Sequence, residues 1–107
     1  MAAALALLLA ACSMSDDAGS QAPPSGKTAD ASYLCPDGTV IHARYYVEAD
    51  SVDLRVGDEA LSVRLPIAMS ASGARYTDGA YEIWEHQGEA RVSLPDGTVH
   101  EACAKQP

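Results

Sequence analysis

The sequence predicts an all-β domain, a small antiparallel barrel or sandwich. Three observations lead there. Apolar and polar residues alternate with a period of two in several short runs between residues 39 and 103. The segment Pro-Asp-Gly-Thr-Val occurs twice, at Pro36–Val40 and Pro95–Val99, each time between two such runs. No stretch between them has the apolar spacing of a helix.

The chain opens with an apolar run, Met1–Ala11. It is too short to cross a bilayer, which takes about 20 residues. It suits the apolar region of a secretory signal peptide, although no Lys or Arg stands ahead of it. The run ends in Leu9-Ala10-Ala11-Cys12, which resembles the bacterial lipobox. There the cysteine is lipidated and becomes the new N-terminus, and small residues before it let an extended backbone enter the peptidase. The expectation is a signal peptide over 1–11 with lipid attachment at Cys12. Ser13, rather than Asp, follows the cysteine. By analogy with enteric lipoproteins this permits sorting to the outer membrane, and so a lipid-anchored envelope protein facing the periplasm. Residues 12–31 are polar, hold Pro, Gly, Ser and Asp, and show no periodicity. They read as a flexible linker spanning roughly 25 Å. The folded domain is then expected over 32–107.

In Thr39–Ala49, Ile41, Ala43, Tyr45 and Val47 share one face, and His42, Arg44 and Glu48 the other. Ser51–Val56 places Val52, Leu54 and Val56 inward, and Gly57–Glu59 turns the chain. Leu61, Val63 and Leu65 alternate with Ser62 and Arg64, and Pro66 is expected to end or edge that strand. Further strands follow at Ala80–His86, at Ala90–Leu94 and at Thr98–Cys103. In each Pro-Asp-Gly turn, proline fits the first central position, aspartate the second, and glycine the positive φ that follows.

Fifteen acidic residues against seven basic ones give a net charge of -8. This argues against nucleic acid, which needs a basic footprint; it favours a cationic partner, or else serves only to keep a small protein soluble. With Cys12 assigned to lipid, Cys35 and Cys103 remain. They stand near the two ends of the folded part, and in an oxidising compartment a disulfide between them is expected. No metal site is expected, because no His or Cys lies at ligand spacing around either cysteine. His42, His86 and His100 are scattered and read as strand-face residues. No nucleophile elbow, zincin, phosphate-loop or Cys-x-x-Cys motif is present, so neither an enzyme nor a cofactor is expected.

One segment has an unusual composition. Ser70–Ala74, in the middle of the folded part, holds only serine, alanine and glycine, and Arg75 and Tyr76 follow it. Read with Tyr33–Gly38, with Trp84 eight residues beyond Tyr76, with Gly88–Ala90 and with Cys103, it resembles the MliC/PliC family of inhibitors of c-type lysozyme. The resemblance runs through the whole folded part. It implies an eight-stranded antiparallel barrel that pushes a loop into the lysozyme active-site cleft. Ser72 would hydrogen-bond near the catalytic carboxylates, and Gly73 would let the backbone approach. Arg75 and Tyr76 would anchor the base of the loop, within the same contact region. In the family a lysine two residues after the tryptophan pairs with those carboxylates. Here that position is His86, and Gly88 stands one residue beyond the family glycine. The implied partners are c-type lysozyme, a basic protein, and a membrane through the N-terminal lipid. Small residues suit such a loop because a cleft shaped for polysaccharide admits only a thin ridge. Trp84 is expected in the core. A structural or adhesive envelope lipoprotein built on the same barrel is the alternative. A small-ligand carrier is a third reading, for which so small a barrel leaves little interior.

Overall fold

The computed structural model describes residues 22–107. The expected signal peptide, Cys12 and the first part of the linker lie outside the described residues. The chain forms eight strands: β1 Thr28–Leu34, β2 Val40–Tyr46, β3 Ser51–Val56, β4 Val63–Ala68, β5 Ala74–Thr77, β6 Glu82–His86, β7 Glu89–Ser93 and β8 Val99–Lys105. Each pairs antiparallel with the next, and β8 returns to β1, so the sheet is a closed barrel. Closure removes the exposed strand edges that a small open sheet would present.

Alternation along the strands builds the core. Ile41, Val52, Leu54, Leu65, Ile83 and Val92 point inward and are essentially fully buried. Burying side chains of this size stabilises by about 1.5–3 kcal/mol each. The seam between β1 and β8 is a short ladder of two pairs, Tyr33 opposite Lys105 and Leu34 opposite Ala104, as short as that between β4 and β5. The Gln106 N–H extends it by donating to the Ser32 carbonyl at 2.8 Å. The expected disulfide forms here, joining Cys35, the residue after β1, to Cys103 in β8. It reinforces the two-pair seam that closes the barrel.

Several sequence expectations are corrected. β1 begins at Thr28, ahead of the residue 32 boundary, because backbone pairing with β2 runs to Thr28 opposite Tyr46. β2 stops at Tyr46, and Val47 beyond it is exposed, although its N–H makes one last bond along the β1 side, to the Lys27 carbonyl at 3.0 Å. Leu61 precedes β4 and is 81% exposed rather than inward. β4 continues through Pro66 to Ala68. Pro66 sits where the strand takes up its second partner: it lies opposite Ser51 of β3, the Ile67 N–H beyond it still donates to the Asp50 carbonyl at 2.8 Å, and pairing with β5 begins at Ile67. A missing N–H costs little at such a handover.

An up-and-down barrel sorts its connections to two rims. The lower rim carries the turns after β1, β3, β5 and β7. The upper rim carries the turns after β2, β4 and β6, together with both ends of the barrel chain. The two Pro-Asp-Gly turns lie on the lower rim and repeat each other in detail. Gly38 N–H donates to Cys35 O at 2.9 Å, and Gly97 N–H to Leu94 O at 3.0 Å. The Asp37 and Asp96 carboxylates accept from the Thr39 and Thr98 N–H groups at 3.0 and 2.9 Å. Those backbone bonds hold both carboxyls below the usual range. Gly38 and Gly97 take φ of 91° and 93°, as the turn requires.

Candidate functional site: the β4–β5 loop

The segment of small residues forms the upper-rim connection between β4 and β5. The two strands are in register as far as Ala68 opposite Arg75, and the chain then loops through Met69–Gly73. With no large side chain between Ser70 and Gly73, the loop has no core of its own and is held by its neighbours. Arg75, on the outer face of β5, donates from Nη1 to the Met69 carbonyl at 3.1 Å, and its Nε is bonded to the Glu82 carboxylate on β6. Trp84 Nε1 donates to the Ser72 carbonyl at 2.8 Å. Within the loop, Ser70 Oγ donates to the Gly73 carbonyl at 3.2 Å.

Gly73 is fixed by two requirements. Its φ is +71°, and a Cβ there would collide with the backbone carbonyl of Glu85 and lie 3.0 Å from His86 Cβ. The loop is therefore pressed against β6 at Gly73 and gripped by Trp84 at Ser72. The Ser72 hydroxyl is exposed and has no hydrogen-bond partner among the described residues. Backbone fixed and hydroxyl free is the arrangement of a preorganised contact, in which little conformational freedom is lost on binding.

Beside Ser72 lies a surface hollow of about 300 Å³, lined also by Trp84, His86 and the Arg91–Glu101 pair. Arg91 Nε stands 3.8 Å from Glu101 Oε2. His86 ends β6 ahead of a two-residue turn, Gln87-Gly88, in which both residues have positive φ (54° and 82°). That geometry matches the right-handed twist of the hairpin. On the other wall, β8 bulges: Arg91 faces Glu101 and Ala102 together, between the Ala90–Cys103 and Val92–His100 pairs. Ala102 takes φ of 57°. A bulge of this kind bends a strand beside a site.

The structure thus brings Ser72, Gly73 and His86 together on the upper rim. Arg75 sits at the base of the loop as its clamp. Tyr76 is different. It is buried in the core, its ring 5.5 Å from that of Tyr45, so the reading of it as a contact residue is corrected to one of support from within. Trp84 is corrected in the opposite sense. Ile83 faces the core, so its neighbour must face out, and the indole serves the loop rather than the interior. Sequence reading missed Glu82 as the partner of Arg75, although the same alternation places both on the outer face.

Among the described residues, one group of potential metal ligands approaches closely, Cys35, Asp37 and His100, and its sulfur is already committed to the disulfide. The fold is a closed eight-stranded barrel that carries one externally clamped loop on its upper rim. Residues 33–100 match the family described as membrane-bound lysozyme-inhibitor of c-type lysozyme, and the chain belongs to that family. It is a family of inhibitors rather than enzymes, and its named partner is c-type lysozyme. No curated protein and no solved structure matched the chain.

Proposed function

We propose that this chain inhibits c-type lysozyme by inserting the Met69–Gly73 loop into the active-site cleft, with Ser72 as the central contact. The observation that carries this reading is the Ser72 residue itself: its carbonyl is held by Trp84 while its hydroxyl is exposed and unpartnered among the described residues. A hydroxyl presented on a thin, fixed ridge can donate to a carboxylate in a narrow cleft. The -8 charge supports the encounter, since complementary potential speeds association with a basic partner.

His86 shares the surface with Ser72 and stands where the family carries lysine. Because it lines the hollow beside Ser72, we assign it the contact with a second carboxylate of the cleft. The lipobox-like Leu9–Cys12 segment agrees with the family's membrane-bound description, and we assign Cys12 as the lipid attachment site of an envelope protein. The segment around residues 12–27 is then its tether.

The test is a lysis assay. The oxidised protein should slow cell-wall lysis by a c-type lysozyme, and Ser72→Ala should weaken that effect. Unimpaired lysis at inhibitor concentrations of about 10 μM, above the affinity range of specific protein complexes, would sink the reading.

A further inference from the structure

The upper mouth of the barrel contains a group that the inhibitory loop does not use. On β6, Ile83 is fully buried in the core, and Glu85, two residues on, shares its face. A carboxylate is thereby directed into the lumen just below the rim. A cavity of about 260 Å³ opens there, lined by Tyr33, Tyr45, Ala74, Tyr76, Glu85 and Lys105 among others. These residues come from β1, β2, β5, β6 and β8, which stand on opposing sides of the barrel, so the cavity occupies the lumen and not the outer wall.

Nothing in the fold's own stability explains Glu85. Its side chain forms no ion pair or hydrogen bond among the described residues, and Lys105 lines the same mouth without pairing to it. Inward charges can guard an open sheet against edge pairing, but a closed barrel has no edge to guard. A partly buried carboxylate without a partner is unfavourable. Around it stand three tyrosines whose phenols are pushed up chiefly by burial; the Glu85 charge adds in the same direction at all three, and at Tyr76 the Asp50 charge adds ahead of it. They stay neutral and line the cavity with aromatic surface. Tyr45 and Tyr76 lie 5.5 Å apart at 50°, and the Tyr33 and Tyr45 hydroxyls are hydrogen-bonded at 2.9 Å, which fixes the cluster. Aromatic faces around one carboxylate are the chemistry that recognises an organic cation. The volume is below the roughly 300–1,000 Å³ of sites for whole small molecules and suits a side-chain head group.

We propose that this mouth receives a guanidinium or alkylammonium group, supplied by a basic side chain of the lysozyme docked on the neighbouring loop. Ala74, which lines the cavity, directly follows Gly73, so the mouth is continuous with the loop surface. The source of the cation rests on the inhibitor reading; the chemistry of the site does not.

Two measurements separate these. In the first, the oxidised full chain is titrated with ethylguanidinium and, as neutral control, ethylurea, while ring resonances of Tyr33, Tyr45 and Tyr76 are followed by NMR. Ethylguanidinium should give saturable shifts and ethylurea none. Glu85→Gln should abolish the shifts, and Lys105→Met, which removes a competing positive charge, should tighten binding. Non-saturable shifts, or equal response in Glu85→Gln, would overturn the site. In the second, lysozyme binding is compared for wild type and Glu85→Gln. We expect about tenfold weaker binding in the variant, mostly through faster dissociation, and loss of the ethylguanidinium response once lysozyme is bound. If ethylguanidinium binds but lysozyme affinity is unchanged by Glu85→Gln, lysozyme is not the source of the cation. If wild type does not bind lysozyme at all, the inhibitor reading fails while the first measurement still decides the site. Retained disulfide and an unchanged unfolding midpoint in Glu85→Gln exclude misfolding as the cause.

Discussion

The Pro-Asp-Gly turns of the lower rim and the Met69–Gly73 loop of the upper rim both reverse the chain, and they are built in opposite ways. Each lower turn satisfies itself: its aspartate caps the threonine N–H two residues on, and its glycine closes onto the residue before the proline. The upper loop is held chiefly from outside, by Arg75 from β5 and Trp84 from β6, with one bond of its own from Ser70. A self-contained turn uses its polar groups on itself. A loop clamped by neighbours can leave a side chain unspent, and Ser72 is the one left. The difference teaches where to look for function in a small barrel: at the connection whose stability is supplied by other elements.

The largest expected effect tests whether either rim survives without the seam that joins them. Replacing Cys35 and Cys103 by serine releases a 68-residue separation and should lower unfolding free energy by about 4 kcal/mol in the chain-entropy model. Denaturant titration measures it. A loss below about 1 kcal/mol would mean that the short β1–β8 ladder closes the barrel unaided.

Next in size is a paired glycine substitution. Gly73→Ala meets both positive φ and a backbone collision, whereas Gly97→Ala meets positive φ with open space around it. We expect Gly73→Ala to cost about 1–3 kcal/mol of stability and to weaken lysozyme binding at least roughly tenfold, by 1.4 kcal/mol or more. Gly97→Ala should cost stability alone, about 1 kcal/mol. Equal binding loss in both would erase the distinction between the rims.

A smaller effect comes from the barrel wall, which separates the two rims. Burial would raise the Asp53 carboxyl, but hydrogen bonds from Arg64 (2.8 and 3.0 Å) and Tyr46 (2.7 Å) outweigh it and leave the group below the usual range. A depressed carboxyl contributes stability above its unfolded value of about 3.9 and loses it as pH falls through the folded value. Stability should therefore drop with acid below about pH 4, and Asp53→Asn should flatten that limb at a cost on the order of 1 kcal/mol at neutral pH. Lysozyme binding at neutral pH should not change. The smallest effect is expected from His86→Lys. Lysine adds a full positive charge toward the cleft carboxylates, so inhibition should tighten, by less than about fivefold if the contact stays solvated. Equal inhibition constants for the two proteins would remove His86 from the contact.

Much of this architecture was legible in the residues. Strands with clean alternation, such as Val52–Leu54 and Ala90–Val92, fall where the period of two places them. The paired turns follow from Pro, Asp and Gly chemistry. β1 and β5 were not legible from alternation. Thr28–Ser32 is mostly small and polar, and four-residue β5 is too short to show a period. Their existence came only with the family resemblance and its eight strands. In the site, Ser72 and Gly73 stand out by composition and Arg75 reads as an anchor of the loop base, but its partner Glu82 and the Trp84 bond do not show in the sequence. Arg75–Glu82 and Trp84–Ser72 bridge adjacent strands, and such contacts depend on a register that no single segment displays. Glu85 was silent for the same reason, because an inward acid is recognised only once Ile83 is known to face the core.

The claim that the upper loop spends its one free hydroxyl on lysozyme has a direct measurement. Inhibition constants and unfolding midpoints are determined for wild type and Ser72→Ala under one condition. A hydrogen bond to a charged partner is worth about 1.5–3 kcal/mol, so inhibition should weaken roughly tenfold to a hundredfold. The midpoint should stay unchanged, because the hydroxyl has no partner among the described residues and the Trp84 bond is to the backbone. Unchanged inhibition by Ser72→Ala, with the fold intact, would contradict the account.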